Sequence, residues 1–389
     1  MEIRARQLET RDFHAVKALW KICFDDSEGF IDWFFRNRYI PDFSACAELD
    51  GKLISAMQSI PLSIRIRGKC VPGAMIAGVS TDPAHRGIGA MSVMFRYFMK
   101  AMRNKGIVVT PHTPAVLPTF FSKGHLPVTD TAYLTLRCPQ SAPDAAGPRL
   151  TLLPEARLAS LYTVYQTFSR RYSGIVARSF GDFCFKMQDY LSDGMSIVCA
   201  DSPDQPYPEA YAAVKHSDSE VYCEECVALD AGAEHRLLMA AANDFPGNIL
   251  RIKLPPDTAI DTLLRKEGVP EGFRLERRPQ GVMGLANAGA LLQILFSDLP
   301  QSETGLMIRI TDSCVTENEG CYTICGVRSE AAPHISIPAG LLVQLLCGYR
   351  SLSALRTAHP DLIAVSDEGA ACALSALTPG HQCYIIDEY

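Results

Sequence analysis

Between Phe13 and Cys23 the apolar residues Phe13, Val16, Leu19, Trp20 and Cys23 recur at three- and four-residue steps. That is the spacing of one helical face, and it predicts a helix running to about Phe24 with Thr10 placed to cap it. Phe30, Trp33 and Phe34 repeat the spacing in a shorter second helix. The pattern then changes. "FSACAEL", "KLISAMQSI", "LSIRIRG" and "PGAMIAGVST" are apolar or alternating runs broken by turn residues, which predicts strands. Asp50-Gly51 supplies one turn, and Arg67-Gly68-Lys69 makes the last two runs a hairpin. Helical spacing returns from about Gly89 to Asn104 and stops near Gly106. "GIVVT" reads as a short buried strand, "AVLPTFFSKG" as a short helix or turn, and "VTDTAYLTLRC" as another strand.

The stretch from Pro139 to Arg149, "PQSAPDAAGPR", has the composition of a linker. After it, two helical runs ("EARLASLYTVYQTF", "RSFGDFCFKMQDYL") and four strand-like runs ("SIVCA", "EAYAAV", "EVYCEECVAL", "ILRIKL") repeat the order of the first part without repeating its sequence. A third part starts near Val282. It has a helix ("ANAGALLQIL"), strands ("GLMIRITDS", "GCYTICGV"), and a strand-to-helix run ("HISIPAGLLVQLLCGYRSLSAL"). The chain closes on "CYIIDEY", an apolar run with no polar tail, which points to a docked end rather than a frayed one. Helices and strands are mixed throughout, so the expected class is α/β (α+β). At 389 residues the chain is too long for one ordinary core, and the predicted parts are 1–138, 150–281 and 282–389.

Composition narrows the function classes. No apolar run reaches membrane-spanning length, and the N-terminus lacks the apolar core of a secretion signal, so the expectation is a cytoplasmic protein without a membrane partner. The net charge of −6 disfavours a nucleic-acid partner and suits a cationic one. Fourteen cysteines in a long chain without such a signal read as reduced thiols. "CEEC" at Cys223–Cys226 has ligand spacing but lies in a strand-like run, with no second pair or His cluster following. It reads as core, as do Cys314, Cys321 and Cys325, and no metal is expected.

The candidate chemistry lies in "GVSTDPAHRGIGAMS", Gly78 to Ser92, where a strand-like run turns through an arginine and two glycines into a helix. A helix start leaves N–H groups without intrahelical acceptors and carries partial positive charge. Without Cβ atoms, Gly87 and Gly89 let a bulky anion reach those groups, and Arg86 adds a formal charge. The segment is built to cradle a pyrophosphate. It is not a Walker loop, since no GK[ST] follows, nor a dinucleotide fingerprint.

"VSTDPAHRGIGAM" resembles the strand-to-helix segment of the GNAT acyltransferases, with Pro83, Arg86 and Gly89 in place and Met91 where most members have Gly or Ala. The three-part layout, together with "RRYSGIVARSF" and "LLCGYRSLSAL", is similar to the Eis (enhanced intracellular survival) acetyltransferases. The resemblance implies tandem GNAT folds, the second degenerate, followed by a sterol-carrier-like C-terminal domain, and a homo-oligomer. It implies acetyl-CoA as co-substrate and a cationic amine as acceptor. Val79, Ser80 and Thr81 would meet pantetheine. Arg86, Gly87, Ile88, Gly89, Ala90, Met91 and Ser92 would hold the pyrophosphate. Asp25, Asp26 and Trp33, at the junction of the first two helices, would bind the amine, together with Phe120, Phe121 and Glu388. The α-carboxylate of the terminal Tyr389 would act as base. The family's tyrosine acid falls on Phe120, or on Phe121 if the alignment slips by one, and neither ring can donate a proton. His125 is the nearest ionisable candidate, with a packed loop histidine as the alternative. An acyl-CoA- or lipid-binding protein that has lost the transfer step is the competing reading.

Overall fold

A computed structural model describes residues 2–140, 151–152, 157–202, 207–267, 271–300 and 304–388. The chain divides into two compact units: 1–129, 172–177 and 280–389 in one, and 130–171 and 178–279 in the other.

The first unit opens with strand β1 (Ile3–Gln7), helices α1 (Phe13–Cys23) and α2 (Glu28–Asn37), and strands β2 (Ala45–Leu49), β3 (Lys52–Ile66) and β4 (Lys69–Thr81). Helix α3 (Ala90–Asn104), β5 (Val109–His112) and the two-residue β6 (Leu126–Pro127) follow. Thr10 is not the cap of α1. It starts a separate 3-10 turn, and the Asp12 carboxylate instead accepts from the Glu9 N–H at 2.8 Å and from Arg6. The two sequence runs read as separate strands around Pro61 are one 15-residue strand, β3. The β2–β3 and β3–β4 turns place Asp50-Gly51 and Arg67-Gly68 all at positive φ. Two left-handed residues in succession match the twist of a tight hairpin.

The second unit contains β7 (Asp130–Arg137), β8 (Thr151–Leu152), α4 (Leu158–Ser169), α5 (Phe180–Ser192) and β9 (Ser196–Asp201). It continues with β10 (Pro208–His216), β11 (Glu220–Ala228), α6 (Ala231–Asp244), β12 (Ile249–Leu254), α7 (Ile260–Glu267) and β13 (Arg274–Pro279). Its sheet runs β13-β7-β12-β11-β10-β9-β8. A bulge opposite Ala213 and Val214 adds one residue to β11, so Cys223 and Cys226 both enter the apolar core. The same strand sends Glu225 to a buried ion pair with Arg178, at 2.9 and 2.6 Å, with the hydroxyls of Tyr211 and Tyr190 donating to the same carboxylate. Among the described residues no group of three His, Cys, Asp or Glu could hold a metal ion.

The chain returns to the first unit through β14 (Val282–Leu285), α8 (Ala288–Phe296), β15 (Met307–Thr311), β16 (Gly320–Thr323), β17 (Arg328–Ser329) and β18 (Ile335–Pro338). Helices α9 (Ala339–Cys347) and α10 (Leu352–Ala358), β19 (Ala364–Val365) and α11 (Glu368–Leu377) complete it. Two sheets result, β1-β2-β3-β4-β5-β14-β6 and β17-β16-β15-β18-β19. Alternation along β4 splits the core over the first sheet. Met75 and Ala77 join a cluster with α1, α2 and α9, while Ala74 and Ile76 join one with α3.

These units cut across the expected parts 1–138, 150–281 and 282–389. Residues 130–137, read as closing the first part, pair with β12 and β13 in the second unit. Val282–Leu285, read as starting the third, lies between β5 and β6. Strand periodicity shows which residues face a core, not which sheet they join. No described helix is long and apolar enough to cross a membrane.

Candidate functional site

A cleft of about 690 Å³ opens in the first unit. Its origin is a strand pair that parts. β4 and β5 run parallel but pair only at Gly73 and Val109. Beyond that point β5 carries Pro111, which has no N–H to give, and β4 carries a bulge. The β3 register jumps from Ala56↔Ser80 to Gln58↔Ala77, leaving Gly78 and Val79 as the expanded side. Gly78 sits at φ +53, and a Cβ there would lie 2.0 Å from the Trp20 ring. Glycine is required by both the backbone and the indole packed against it. The open edge of β4 from Ala74 onward can pair with an extended ligand bearing amides.

β4 leads into the turn before α3. Gly87 and Gly89 have φ of +82 and +89, and a Cβ at either would meet nothing within 4 Å. The space above the turn is therefore open. Helix α3 begins at Gly89 with no side-chain cap and no acidic residue in its first turn. Among the described residues nothing accepts from the N–H groups of Gly87 through Met91. Arg86 is exposed, and its Nε donates to the Thr81 carbonyl at 3.3 Å. The corresponding junction of the second unit, β11 to α6, is different. There the Asp230 carboxylate accepts from the Ala233 N–H at 2.8 Å, so the helix start is already occupied by an anion.

The far wall of the cleft comes from the end of β5 and the 3-10 turn Leu117–Lys123. His112 ends β5 and is 3% exposed, and among the described residues neither ring nitrogen meets the geometry of a hydrogen bond. Burial pushes its pKa down to about 3, against a smaller upward pull from the Thr110 backbone, so the ring is neutral. Phe120 packs edge-on to it at 4.5 Å. Lys123 also lines the cleft, and its Nζ donates to the Thr119 carbonyl at 2.9 Å.

Residues 4–124 match the acetyltransferase (GNAT) domain family. This segment is a GNAT acetyltransferase domain. Solved structures of the same fold include a conserved protein of unknown function from Enterococcus faecalis, described as a probable N-acyltransferase (TM-score 0.78, 16% identity), and a GCN5-related N-acetyltransferase from Anabaena variabilis (TM-score 0.77, 14% identity). Eis1 from Mycobacterium abscessus follows at TM-score 0.70 and 17% identity. In all three, 100% of each chain is covered. At such identities the likeness is one of fold. No curated protein matches the sequence at a significant level.

Within the GNAT domain the expected coenzyme residues gather at one place. Val79, Ser80, Thr81, Arg86, Gly87, Gly89, Ala90, Met91 and Ser92 all line the cleft, while Ile88 points outward at 48% exposure. The expected acceptor residues are more scattered. Cys23 and Phe24 line the cleft and Asp25 follows them, but neither Asp25 nor Asp26 is part of the lining. Asp26 accepts from Trp20 Nε1 at 2.7 Å. Trp33 lies away from the cleft with the Arg38 guanidinium 5.8 Å over its ring, so that face already holds a cation. Phe120 lines the cleft, whereas Phe121 is 40% exposed outside it. His125 is fully buried behind the wall, 3.2 Å from the Thr110 hydroxyl, and does not reach the lining. Its place is that of the packed histidine. Glu388 is outside the lining, and Tyr389 lies outside the described residues.

Sequence reasoning passed over His112 and Lys123. The first had a cue, a polar residue ending a short buried strand next to the strand that enters the turn. The second depended on the turn geometry of Leu117–Lys123.

Proposed function

We propose that this protein is an acetyl-CoA-dependent N-acetyltransferase acting on a cationic amine, aminoglycoside-like or polyamine-like. One observation carries the reading: a parted strand pair leads straight into a helix start with open N–H groups, two left-handed glycines and Arg86, all in a single cleft. The β4 edge suits the pantetheine amides, and the helix start suits the pyrophosphate. The acyl carbon would then lie toward the His112 end, where the amine attacks. The sulfur leaves with the electron pair of the broken C–S bond, and the new amide releases a proton to a base.

The Tyr389 α-carboxylate is the base in this reading. The path of the chain end supports it. Ser173 and Thr129 fasten the backbone of 382–384, with Thr129 donating to the Cys383 carbonyl at 2.6 Å. Ile385 then packs where a Cβ on Gly281 would sit, at 2.8 Å, and the next residue, Val282, pairs with His112. The reading also takes 282–389 as sterol-carrier-like, the assembly as a homo-oligomer in the cytoplasm, and nucleic acid and membranes as non-partners.

Phe120 in the cleft wall favours one alternative, an acyl-CoA- or lipid-binding protein without transfer. Thiol release from acetyl-CoA against a panel of polyamines and aminoglycosides separates the two. Release that depends on amine supports the transferase. Tight CoA binding without release supports the alternative. Appending one glycine after Tyr389 moves the carboxylate by about 3.3–3.6 Å. The extended protein should bind CoA and lose transfer, and full transfer would remove the carboxylate from the mechanism.

A further inference from the structure

Among the described residues the ionisable groups lining the cleft are few, and each can be asked whether it can hand a proton to a departing thiolate. They are Cys23, His85, Arg86, His112 and Lys123. Arg86 does not lose its proton. His85 is beside Asp82, 3.1 Å away, at the mouth of the glycine turn, where phosphates rather than sulfur would lie. His112 is held neutral by burial, so it has no second proton to give near pH 7. Cys23 turns its thiol to the Thr81 carbonyl at 3.5 Å, so its proton is committed to the β4 backbone. Lys123 remains.

Its placement fits. In a 3-10 turn, side chains three apart eclipse one another. Lys123 therefore stands on the same face of Leu117–Lys123 as Phe120, whose ring packs against His112. Among the described residues Lys123 has no carboxylate partner, and its ammonium is parked on the Thr119 carbonyl. An unpaired cation kept in a cleft meant for cationic acceptors calls for a use.

We propose that Lys123 is the catalytic acid of the transfer, protonating the coenzyme sulfur as the C–S bond breaks. The step balances. The bond's electron pair goes to sulfur, the ammonium gives its proton there, and the resulting amine recovers one from solvent. Partial burial lowers the lysine pKa from its usual value, which brings it toward that of a thiol. The groups that face it are few. Thr119 is on its own turn. Cys314, with its thiol pushed up to about 12 by burial, faces it from the loop after β15, and Arg96 of α3 lies near that thiol. His125, neutral, lies behind.

This inference rests on the proposed transfer activity, and the experiment keeps the two apart. Wild type, Lys123→Met and Lys123→Arg are compared for kcat, for kcat against pH, and for CoA affinity by calorimetry. Loss of a general acid should lower kcat by about 10²-fold or more in Lys123→Met. CoA affinity should stay near wild type, and the alkaline fall of the kcat profile should vanish. Lys123→Arg should stay as slow, because a guanidinium keeps the charge but not a transferable proton. Full activity in Lys123→Met, or rescue by Lys123→Arg, overturns the acid role and leaves the transferase reading standing. Weakened CoA binding at unchanged kcat also overturns it and makes Lys123 a phosphate contact. No transfer by wild type on any amine overturns both.

Discussion

Acidification should weaken the GNAT domain through His112 before any carboxylate network is involved. The ring is buried, and that burial holds its pKa at about 3 in place of 6.5. Between those values the unfolded chain takes up a proton that the folded chain refuses, so stability falls as pH falls. The loss begins below about pH 6.5 and grows by about 1.4 kcal/mol per pH unit until the folded ring itself titrates. From about pH 7.5 to about pH 5 the contribution lost is about 2 kcal/mol. At pH 5 that figure hardly changes for any folded pKa below about 4, so it does not depend on the depth of the shift. Both tryptophans of the chain, Trp20 and Trp33, lie in this unit. Urea unfolding followed by tryptophan fluorescence therefore reports on it directly. His125, also pushed down by burial, adds a slope of the same sign, so the comparison is with His112→Gln. The variant should lose about 2 kcal/mol less than wild type over that interval. Equal pH slopes in the two proteins would refute the claim that His112 is buried neutral.

The second unit should respond to pH in the opposite sense. Glu234, buried and accepting from Thr258, has its pKa raised by burial to about 7, so its folded form binds the extra proton between about 4.5 and 7 and stability falls as pH rises. Hydrogen exchange of α6 should slow from pH 7.5 to pH 5.5 after correction for intrinsic rates, and Glu234→Gln should remove the change. Gly78→Ala should destabilise the GNAT domain by about 1–3 kcal/mol, because its Cβ would collide with the Trp20 ring. The same variant should shift tryptophan emission and weaken CoA binding, whereas unchanged emission with full CoA affinity would show that the bulge does not depend on that packing.

Much of the first unit could be read from the chain because its elements are local. The α1 face, the two hairpin turns and the glycine turn each depend on residues within a few positions of one another. What could not be read depends on pairing at long range. The segment Tyr172–Ala177 lies between helical runs of the second part, yet it pairs with β3, where Gly174 donates to the Arg65 carbonyl at 2.7 Å. Nothing in "RRYSGIVARSF" marks which partner it takes. Asp25, Asp26 and Trp33 are not gathered in the cleft for a related reason. Two acidic residues and an indole near one turn suggest a cation site, but Trp33 is turned toward Arg38, and sequence spacing does not fix a side chain's direction.

The insertion of Val282–Leu285 into the first sheet gives the architecture its functional logic. A β5 that has parted from β4 would expose its other edge unless something paired with it. β14 supplies that pairing along all four residues of β5, and β6 closes the far side of β14. The strand that stabilises the parted pair therefore comes from the start of the C-terminal segment. The same segment ends in Cys383–Ile386, buried and fastened by Thr129 and Ser173. Gly281 is the point where the two meet, since Ile385 occupies the space a side chain there would need. A bulky residue at 281 would push the chain end away from β14 while leaving the glycine turn untouched. Gly281→Val should therefore keep CoA affinity and lose transfer, as the glycine-extended terminus should. Loss of CoA affinity in Gly281→Val would show instead that β14 holds the cleft open, and that the chain end is only its latch.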